Sequence, residues 1–366
     1  MTETLKCIGC GAVLQSTDPQ KPGYVPKASM GKEDVICRRC FRLKNYNEVQ
    51  DVGMDSDDFL ELLNSLSNKP GIVVNLVDVF DFEGSFINAI KRIVGNKKII
   101  LAANKVDLLP KQINKRRVTE WLRKSAKNYG LYPEDVCLIS AHKGFGIDEL
   151  LQTIEKHRDG QDVYIVGTTN VGKSTLINRL IEQSVGEKDV VTTSKVPGTT
   201  LDMIDIPIDD QSDMYDTPGI IQAHQIAHFV TTKELNIIMP KKEIKQRVYQ
   251  LNELQSLFIG GLARVDYLKG GKRPLVCYFS NELHIHRTKL EKADQLWKTQ
   301  LGSLLTPPSQ PQDFDFEQLN TIHLNTGNEK KDIMISGLGF VTVDAGAELD
   351  VTVPKNVEVT LRPSIM

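Results

Sequence analysis

The sequence predicts an α/β fold in which a mostly parallel sheet lies between a small cysteine-containing module and a C-terminal region rich in strands. Three observations lead to this prediction. Apolar runs alternate with helical patterns between residues 71 and 217, two Cys-x-x-Cys pairs lie near the N-terminus, and period-two alternation follows residue 330. The chain has 366 residues, which is enough for two or three domains.

The first predicted element is a metal-binding module. Cys7 and Cys10 form one Cys-x-x-Cys pair, and Cys37 and Cys40 form the second. Four thiolates in two such pairs match the tetrahedral ligand set of a structural Zn²⁺ site. The intervening residues are rich in Gly, Pro and charge and cannot form a core alone, so a metal would supply the missing folding free energy. The alternative is two unrelated redox or core pairs.

The central region carries the alternation that predicts the sheet. The predicted strands are 71–79, 97–104, 135–140, 162–167, 201–208 and 213–217. The predicted helices between them are 85–94, 113–130 and 146–157. Alternation of this kind favours a mostly parallel sheet with helices on both faces. Cys137 and Cys277 lie in apolar strand-like runs and are interpreted as core thiols.

A glycine-rich loop follows the strand at 162–167. The segment reads as strand, loop and helix, and it matches G-x-x-x-x-G-K-S from Gly167 to Ser174. Backbone N–H groups of such a loop, with the helix N-terminus, surround phosphates. Lys173 is expected to reach the β- and γ-phosphates, and the Ser174 hydroxyl is expected to bind Mg²⁺. The other nucleotide contacts predicted in this loop are Asn170, Val171, Gly172 and Thr175.

A second phosphate-sensing motif lies downstream. Asp216-Thr-Pro-Gly219 ends a short apolar strand, so the Asp216 carboxylate is expected to hold Mg²⁺ and the Gly219 N–H to sense the γ-phosphate. The segment between the two motifs offers Thr199 and Thr200 as switch threonines, and Thr200 is the predicted metal ligand. Asp-x-x-Gly alone is usually a turn, but its place after a phosphate loop favours the functional interpretation.

A guanine-recognition motif precedes the phosphate loop. One apolar strand runs into Asn104-Lys-Val-Asp107, and the next ends in Ser140-Ala141. Asp107 is expected to accept hydrogen bonds from the base, while Asn104 braces the loop and the stem of Lys105 packs on the ring. A backbone N–H of Ser140-Ala141 is expected to donate to the guanine oxygen. On its own, the first motif would be interpreted as a helix-capping loop.

This motif order is the reverse of that in an ordinary GTPase, and a circular permutation accounts for it. Because domain termini often lie close together, moving the last three strands to the front restores the usual order and keeps every contact. The predicted fold class is a circularly permuted P-loop GTPase domain with an N-terminal four-cysteine zinc module and a C-terminal α+β domain. The predicted boundaries are 1–50, 51–222 and 223–366.

The combined motif order, behind four cysteines, resembles the YqeH family of circularly permuted GTPases. Segments 78–86 and 335–343 also look like family segments. The resemblance implies a zinc-containing GTPase of small-ribosomal-subunit assembly, with GTP or GDP, Mg²⁺ and Zn²⁺ as ligands. It implies the small ribosomal subunit or its rRNA as partner, and a C-terminal domain likened to an RNA- or peptide-binding regulatory fold.

Two residues predict how fast the enzyme works. Many GTPases place a water-orienting Gln after the Asp-x-x-Gly glycine, whereas this chain has Ile220, so slow intrinsic turnover is expected. Asn170 is similar to the Asn of those GTPases that hold K⁺ beside the phosphates. We therefore expect K⁺ to raise turnover more than Na⁺ does. The alternative role for Asn170 is to brace the loop.

Charge favours an anionic partner. Residues 1–50 carry 8 Lys/Arg against 5 Asp/Glu, residues 241–300 carry 12 against 6, and residues 311–366 carry 4 against 9. Two basic segments flanking a neutral middle suit RNA, although ordinary solvated surface explains the charge alone. Residues 241–262 read as a basic amphipathic helix, and the basic turn at 267–274 is an RNA-contact candidate.

The compartment expected from the sequence is the cytoplasm. The sequence has no apolar run long enough to span a membrane, and its N-terminus lacks the character of a signal or transit peptide. Two rival functions remain at this point. One is a GTP-dependent metallochaperone or an adaptor for a non-ribosomal protein, and the other is a membrane-associated signalling GTPase, which the lack of a lipidation motif disfavours.

Overall fold

The computed structural model divides into two compact units, Met1–Val106 with Lys115–Gln222, and Asp107–Asn114 with Ala223–Met366. The residues that it describes are 5–7, 12–19, 21, 23–30, 35–38, 40–41, 53–54, 64, 66–88, 90–184, 192–195, 202–209, 211–217, 219–310, 315 and 318–366. The domain boundaries expected from the sequence stay a prediction. No helix among the described residues is both long and apolar enough to cross a bilayer.

The first unit contains a seven-stranded sheet and a two-stranded one. Its strands are β1 (Gly53–Met54), β2 (Ile72–Asp78), β3 (Ile99–Asn104), β4 (Asp135–Leu138), β5 (Val163–Gly167), β6 (Thr192–Lys195), β7 (Asp202–Pro207), β8 (Asp213–Asp216) and β9 (Gly219–Ile220). Its helices are α1 (Phe82–Ser85), α2 (Ile90–Ile93), α3 (Lys115–Asn128), α4 (Ile147–Arg158) and α5 (Lys173–Ser184).

The order of strands in the large sheet is β4-β3-β2-β5-β8-β7-β6. Strands β4, β3, β2, β5 and β8 pair in parallel, and β7 and β6 continue the sheet in antiparallel pairing. Strands β2, β3 and β4, which come first in the chain, therefore form one side of the sheet, and β2 pairs with the phosphate-loop strand β5. This topology confirms the predicted α/β fold and the permuted order of its motifs.

The central strands form because both of their faces are covered. All of β3 and β5 is buried, which is why the sequence shows continuous apolar runs there rather than alternation. On one face, Ile72, Val74 and Leu76 pack with residues from α4 and α5 in a single core. The buried residues of α3 follow a spacing of three and four, which is the spacing of one face of a helix.

The second unit is built from two five-stranded antiparallel sheets. Its strands are β10 (Arg247–Leu251), β11 (Gln255–Ile259), β12 (Ala263–Lys269), β13 (Arg273–Phe279), β14 (Ile285–Lys289), β15 (Leu319–Asn325), β16 (Lys331–Ile335), β17 (Gly339–Val343), β18 (Glu348–Pro354) and β19 (Val359–Pro363). The sheet orders are β10-β13-β17-β16-β19 and β14-β11-β12-β18-β15. Both sheets contribute to one apolar core, and α6 (Thr232–Ile238) and α7 (Leu290–Gln300) complete the unit.

The basic helix expected over residues 241–262 is wrong. Strands β10 and β11 occupy this segment, and β10 pairs with β13 along its whole length. Burial in β10 alternates with a period of two, because Tyr249 and Leu251 face the core while Val248 and Gln250 are exposed. Four Lys/Arg between residues 241 and 247 made the segment resemble a basic amphipathic helix, but the period of burial is that of a strand.

Candidate functional site

The phosphate loop begins where β5 ends. A Cβ on Gly167 would lie 2.9 Å from the carbonyl oxygen of Leu76, and a Cβ on Gly172 would lie 2.5 Å from Asn104 Nδ2. Gly172 also has a φ of 89°, and Asn170 has a φ of 64°, a left-handed conformation that Asn tolerates better than most residues. The protein's own packing therefore requires both glycines, independently of any phosphate.

A buried ion pair connects the two motifs that are predicted to contact the phosphates. Lys173 is the first residue of α5 and Asp216 is the last of β8, and Lys173 Nζ lies 2.6 Å from Asp216 Oδ1. Their side chains are only 2% and 3% exposed. The pairing follows from the sheet, because β8 runs parallel to β5 and places Asp216 opposite Ile165, just before the loop. Each charge here compensates the other.

The remaining residues of the loop differ in burial. Ser174 and Val171 are buried, whereas Asn170 and Thr175 are exposed. The Ser174 hydroxyl and the Asp216 carboxylate are hard oxygen donors of the kind that Mg²⁺ prefers, so these residues fit the predicted metal. Their roles, and the K⁺ role of Asn170, stay predictions.

The second motif lies beside the start of the phosphate loop. Thr169 N–H donates to the carbonyl oxygen of Ile220 at 2.9 Å, and Thr168 forms a parallel bridge with the same residue. A Cβ on Gly219 would lie 3.3 Å from the Thr169 nitrogen, so this glycine permits the close approach of the two segments. Thr200, the predicted switch threonine, lies outside the described residues, as does Thr199.

Asn104 joins three motifs through one side chain. Its Nδ2 donates to the Val171 carbonyl in the phosphate loop at 2.8 Å, and its Oδ1 accepts from Ala141 N–H at 2.9 Å. The amide is buried at the carboxyl end of β3. The sequence predicted that Asn104 braces the loop, and the geometry shows which groups it holds.

The other guanine-motif residues adjoin Asn104 or Ala141 in the sequence. Lys105 has a φ of 66°, and Asp107 lies half-buried in a 3₁₀ turn formed by Val106–Leu108. Ser140 N–H donates to Phe145 O at 2.9 Å, so this N–H and that of Ala141 both donate within the protein. These are the donors that the sequence assigned to the guanine oxygen, and that role stays a prediction.

Asp78 is a site residue that the sequence reasoning missed. Its Oδ2 lies 2.7 Å from Lys105 Nζ, and its Oδ1 accepts from Phe80 N–H at 2.9 Å. The Asp78 backbone N–H in turn donates to the Ser85 hydroxyl. The signal was present, because Asp78 ends β2 and is the direct neighbour of Asn104 in the parallel register. By fixing the ammonium group, Asp78 holds the Lys105 stem in place.

Three of the four N-terminal cysteines lie together. Their sulfur atoms are within 4.8 Å of one another, and all three side chains are buried. Cys37 N–H donates to Cys7 Sγ at 3.1 Å, and Cys40 completes the group. Thiolates on one tetrahedral Zn²⁺ stand about 3.8 Å apart, so this donor set fits a structural zinc ion. Cys10 lies outside the described residues.

Fold and site together define a P-loop GTPase whose guanine motif precedes its phosphate loop. Residues 162–258 match the family model described as "50S ribosome-binding GTPase", and residues 272–365 match the model "YqeH-like, C-terminal". Residues 104–107 and 140–141 lie before the first of these matches, as the permuted order requires. The chain is a GTP hydrolase.

Full-length relatives identify the family. The chain is 52% identical over 365 residues to "Uncharacterized protein YqeH" of Bacillus subtilis, with all of both chains covered. It is 31% identical to "NO-associated protein 1, chloroplastic/mitochondrial" of Arabidopsis thaliana, over 98% of this chain and 76% of that one. The chain belongs to the YqeH family.

A solved structure is a weaker match. GNP-bound YlqF from T. maritima aligns with a TM-score of 0.28 at 19% identity, over 47% of this chain and 63% of that one. This likeness is too low to inform the fold.

Proposed function

We propose that this GTPase acts in assembly of the small ribosomal subunit and binds its rRNA or a precursor particle according to the bound nucleotide. The observation that carries the switch is the convergence of the guanine motif and both phosphate motifs around Asn104 and the Lys173–Asp216 pair. The ribosomal partner is supported by the family resemblance and by the family description matched over residues 162–258. That description names the large subunit, so the test compares both.

The site residues have the following proposed roles. Lys173 stabilises negative charge on the phosphates, and Asp107 selects guanine by accepting hydrogen bonds from its edge. Ser174, Asp216 and Thr200 would hold Mg²⁺, which when bound supplies positive charge to the phosphates. Gly219 reports the γ-phosphate through its backbone N–H. The described backbone supports this assignment, because Gly219 already lies against Thr169 of the loop.

Intrinsic turnover is proposed to be slow. Ile220 is buried, and its side chain has no group that can orient water. Asn170 is exposed in the loop and would contribute its side-chain carbonyl oxygen to K⁺. Hydrolysis in K⁺ should then exceed that in Na⁺, and Asn170→Ala should abolish the difference. Equal rates in the two salts would contradict the potassium role.

The cysteine module is proposed to keep its metal rather than to deliver it. Cys7, Cys37 and Cys40 are all buried, which favours a structural zinc ion over an exchangeable cargo. A metallochaperone predicts zinc exchange that depends on the nucleotide. A zinc-65 release assay with GDP and with a GTP analogue separates the two functions.

Co-sedimentation with purified ribosomal subunits tests the main proposal. The protein should pellet with the small subunit in the presence of a non-hydrolysable GTP analogue and less with GDP. Asp107→Asn, which weakens guanine recognition, should abolish the nucleotide dependence and is the matched control. Association with the large subunit, or with neither subunit, would contradict the proposed partner and leave the GTPase activity intact. The cytoplasmic location stays part of the same proposal.

A further inference from the structure

Helix α3 presents a strongly basic face to the solvent. Its 14 residues include six Lys/Arg and one acidic residue, in a chain whose formal net charge is −2. The buried face consists of Val118, Trp121, Leu122, Ser125 and Ala126. The basic side chains therefore lie on the opposite side, and all six are exposed. This cluster of positive charge is not evident from the sequence, because the middle of the chain is nearly neutral as a whole.

Aromatic rings flank the basic face at both ends of α3. Lys115 Nζ lies 3.7 Å from the centroid of Phe145, whose side chain is 41% exposed. At the other end, Lys127 Nζ lies 6.0 Å from the centroid of Tyr132, which is 70% exposed. Large exposed rings beside cations are the arrangement on which unpaired bases stack. An acidic protein surface would need the charges but not the rings.

Some of the positive charge is already neutralised. Arg116 lies 3.4 Å from Glu120, and Arg123 lies 3.3 Å from Asp135, which also accepts from Lys156 and His157. Exposed pairs of this kind contribute little and exchange readily for another anion. Lys124 and Lys127 have no acidic partner among the described residues. These two residues define the part of the face that is available to phosphate.

The basic turn at 267–274 is a weaker candidate than α3. Arg273 donates to the carbonyl oxygens of Gly270, Asp344 and Ala345, so its guanidinium holds the turn together. Lys269 faces Glu348 at 3.8 Å. Much of the charge in this turn therefore has a structural role, unlike that of Lys124 and Lys127.

We propose that the α3 face, with Tyr132 and Phe145, is a binding surface for single-stranded RNA. Residues 115 and 127 stand about 18 Å apart along the helix, which is enough for several phosphates. Lysines contact the phosphates and the two rings stack on bases, so binding depends on salt and tolerates different sequences. This inference rests on the RNA-binding part of the proposed function and assigns that binding to a surface of the first unit.

The experiment measures binding of the full-length protein to a fluorescein-labelled single-stranded RNA about 12 nucleotides long, by anisotropy at several salt concentrations. Lys124→Glu/Lys127→Glu removes two phosphate contacts. Affinity should fall roughly 20-fold at ~0.1 M salt, and the slope of log K against log[salt] should flatten by about 1.4. Lys330→Glu/Lys355→Glu makes the same charge change on exposed lysines of the second unit and should leave affinity unchanged.

Tyr132 provides an independent test of stacking. Tyr132→Ala should weaken single-stranded RNA at least about fivefold, whereas Tyr132→Phe should bind like the wild type. Unaltered basal GTP hydrolysis in each variant shows that the fold is intact. If the wild type binds RNA and the α3 variants bind equally well, this inference is overturned. The basic face would then suit an acidic protein partner instead. If the wild type binds no RNA, the RNA-binding part of the proposed function fails as well.

Discussion

The cysteine module and the seven-stranded sheet differ in what surrounds their functional side chains. Within residues 5–41, the described buried apolar residues other than cysteine are Ala12, Leu14 and Val25. The sheet, in contrast, has a core with 20 buried residues on one of its faces, counted over the described part of the chain. In the module the predicted metal ligands are themselves the centre of the fold. In the sheet the predicted nucleotide site lies at the end of a large core, to which two of its residues, Ala141 and Val171, belong.

This difference shows where loss of a functional group also means loss of structure. A module with so few apolar core residues in its described part depends on its ligands for folding free energy. When a site lies at the edge of a large core, the strands fix the positions of its residues. Most of its side chains can then be substituted while the sheet remains folded. Lys173, Asp216 and Asn104 are site residues that are also buried, so substituting them tests whether the sheet really is independent of its site.

The largest expected effect is that of metal removal on the module. Chelation should unfold residues 5–41 and expose Cys7, Cys37 and Cys40 to iodoacetamide, since structural zinc supplies about 10 kcal/mol or more. Cys277 should stay unmodified, because burial raises the pKa of its thiol to about 12. Peptide mass spectrometry before and after chelation measures the modification of the module cysteines and of Cys277. Equal protection of all cysteines after chelation would show that the module has a core of its own.

The next largest effect is expected at the buried ion pair. Lys173→Met leaves Asp216 as an uncompensated buried charge and should lower the free energy of unfolding by about 3–5 kcal/mol, besides abolishing hydrolysis. Lys173→Met/Asp216→Asn should recover most of that stability and remain inactive. Urea denaturation of the wild type and both variants measures the difference. A single variant as stable as the wild type would show that even this pair is independent of the fold.

Two buried asparagines on neighbouring strands sharpen the comparison further. Asn104→Ala orphans Val171 O and Ala141 N and should cost about 2–4 kcal/mol, together with GTP affinity. Asn75 is equally buried in β2, and both polar atoms of its amide lack a partner among the described residues. Asn75→Leu should therefore stabilise the sheet by about 1 kcal/mol. Thermal unfolding of the Asn104→Ala and Asn75→Leu variants measures both effects. Destabilisation by Asn75→Leu would point to an unrecognised polar contact.

The smallest effect is expected from a surface ion pair in the same unit. Hydrogen bonds from the Ser212 hydroxyl, the Gln211 N–H and Arg158 hold the pKa of Asp209 below its usual value. Their stabilisation is therefore complete above pH ~4 and is lost as the pH falls further. The melting temperature of the wild type should approach that of Asp209→Asn as the pH falls from ~4 to ~2. A constant difference across this range would exclude the carboxylate as its source.

The extent to which the sequence predicts each region follows from the same contrast. Lys173 and Asn104 were predictable because each belongs to a short motif that follows or ends a strand whose apolar run is continuous. Asp216 was predictable because its Asp-x-x-Gly motif comes after a phosphate loop. Asp78 was not, because its role comes from a register between two strands rather than from a motif of its own. Strand β10 was taken for a helix, since its edge position leaves alternate residues exposed and mixes charge with apolar side chains.

The placement of Asp107–Asn114 in the second unit has a consequence for the order of folding. Leu108 O accepts from Ile244 N–H, and Lys111 N–H donates to Glu243 at 2.9 Å across 132 residues of sequence. At ordinary rates of translation, about 7–26 s pass between synthesis of the two partners. During that interval Leu108 O and Lys111 N–H, which follow Asp107 in the chain, lack their partners Ile244 and Glu243. The turn that contains Asp107, the predicted guanine ligand, therefore gains these contacts only after every strand of the seven-stranded sheet has been synthesised, although it is encoded in the first third of the chain.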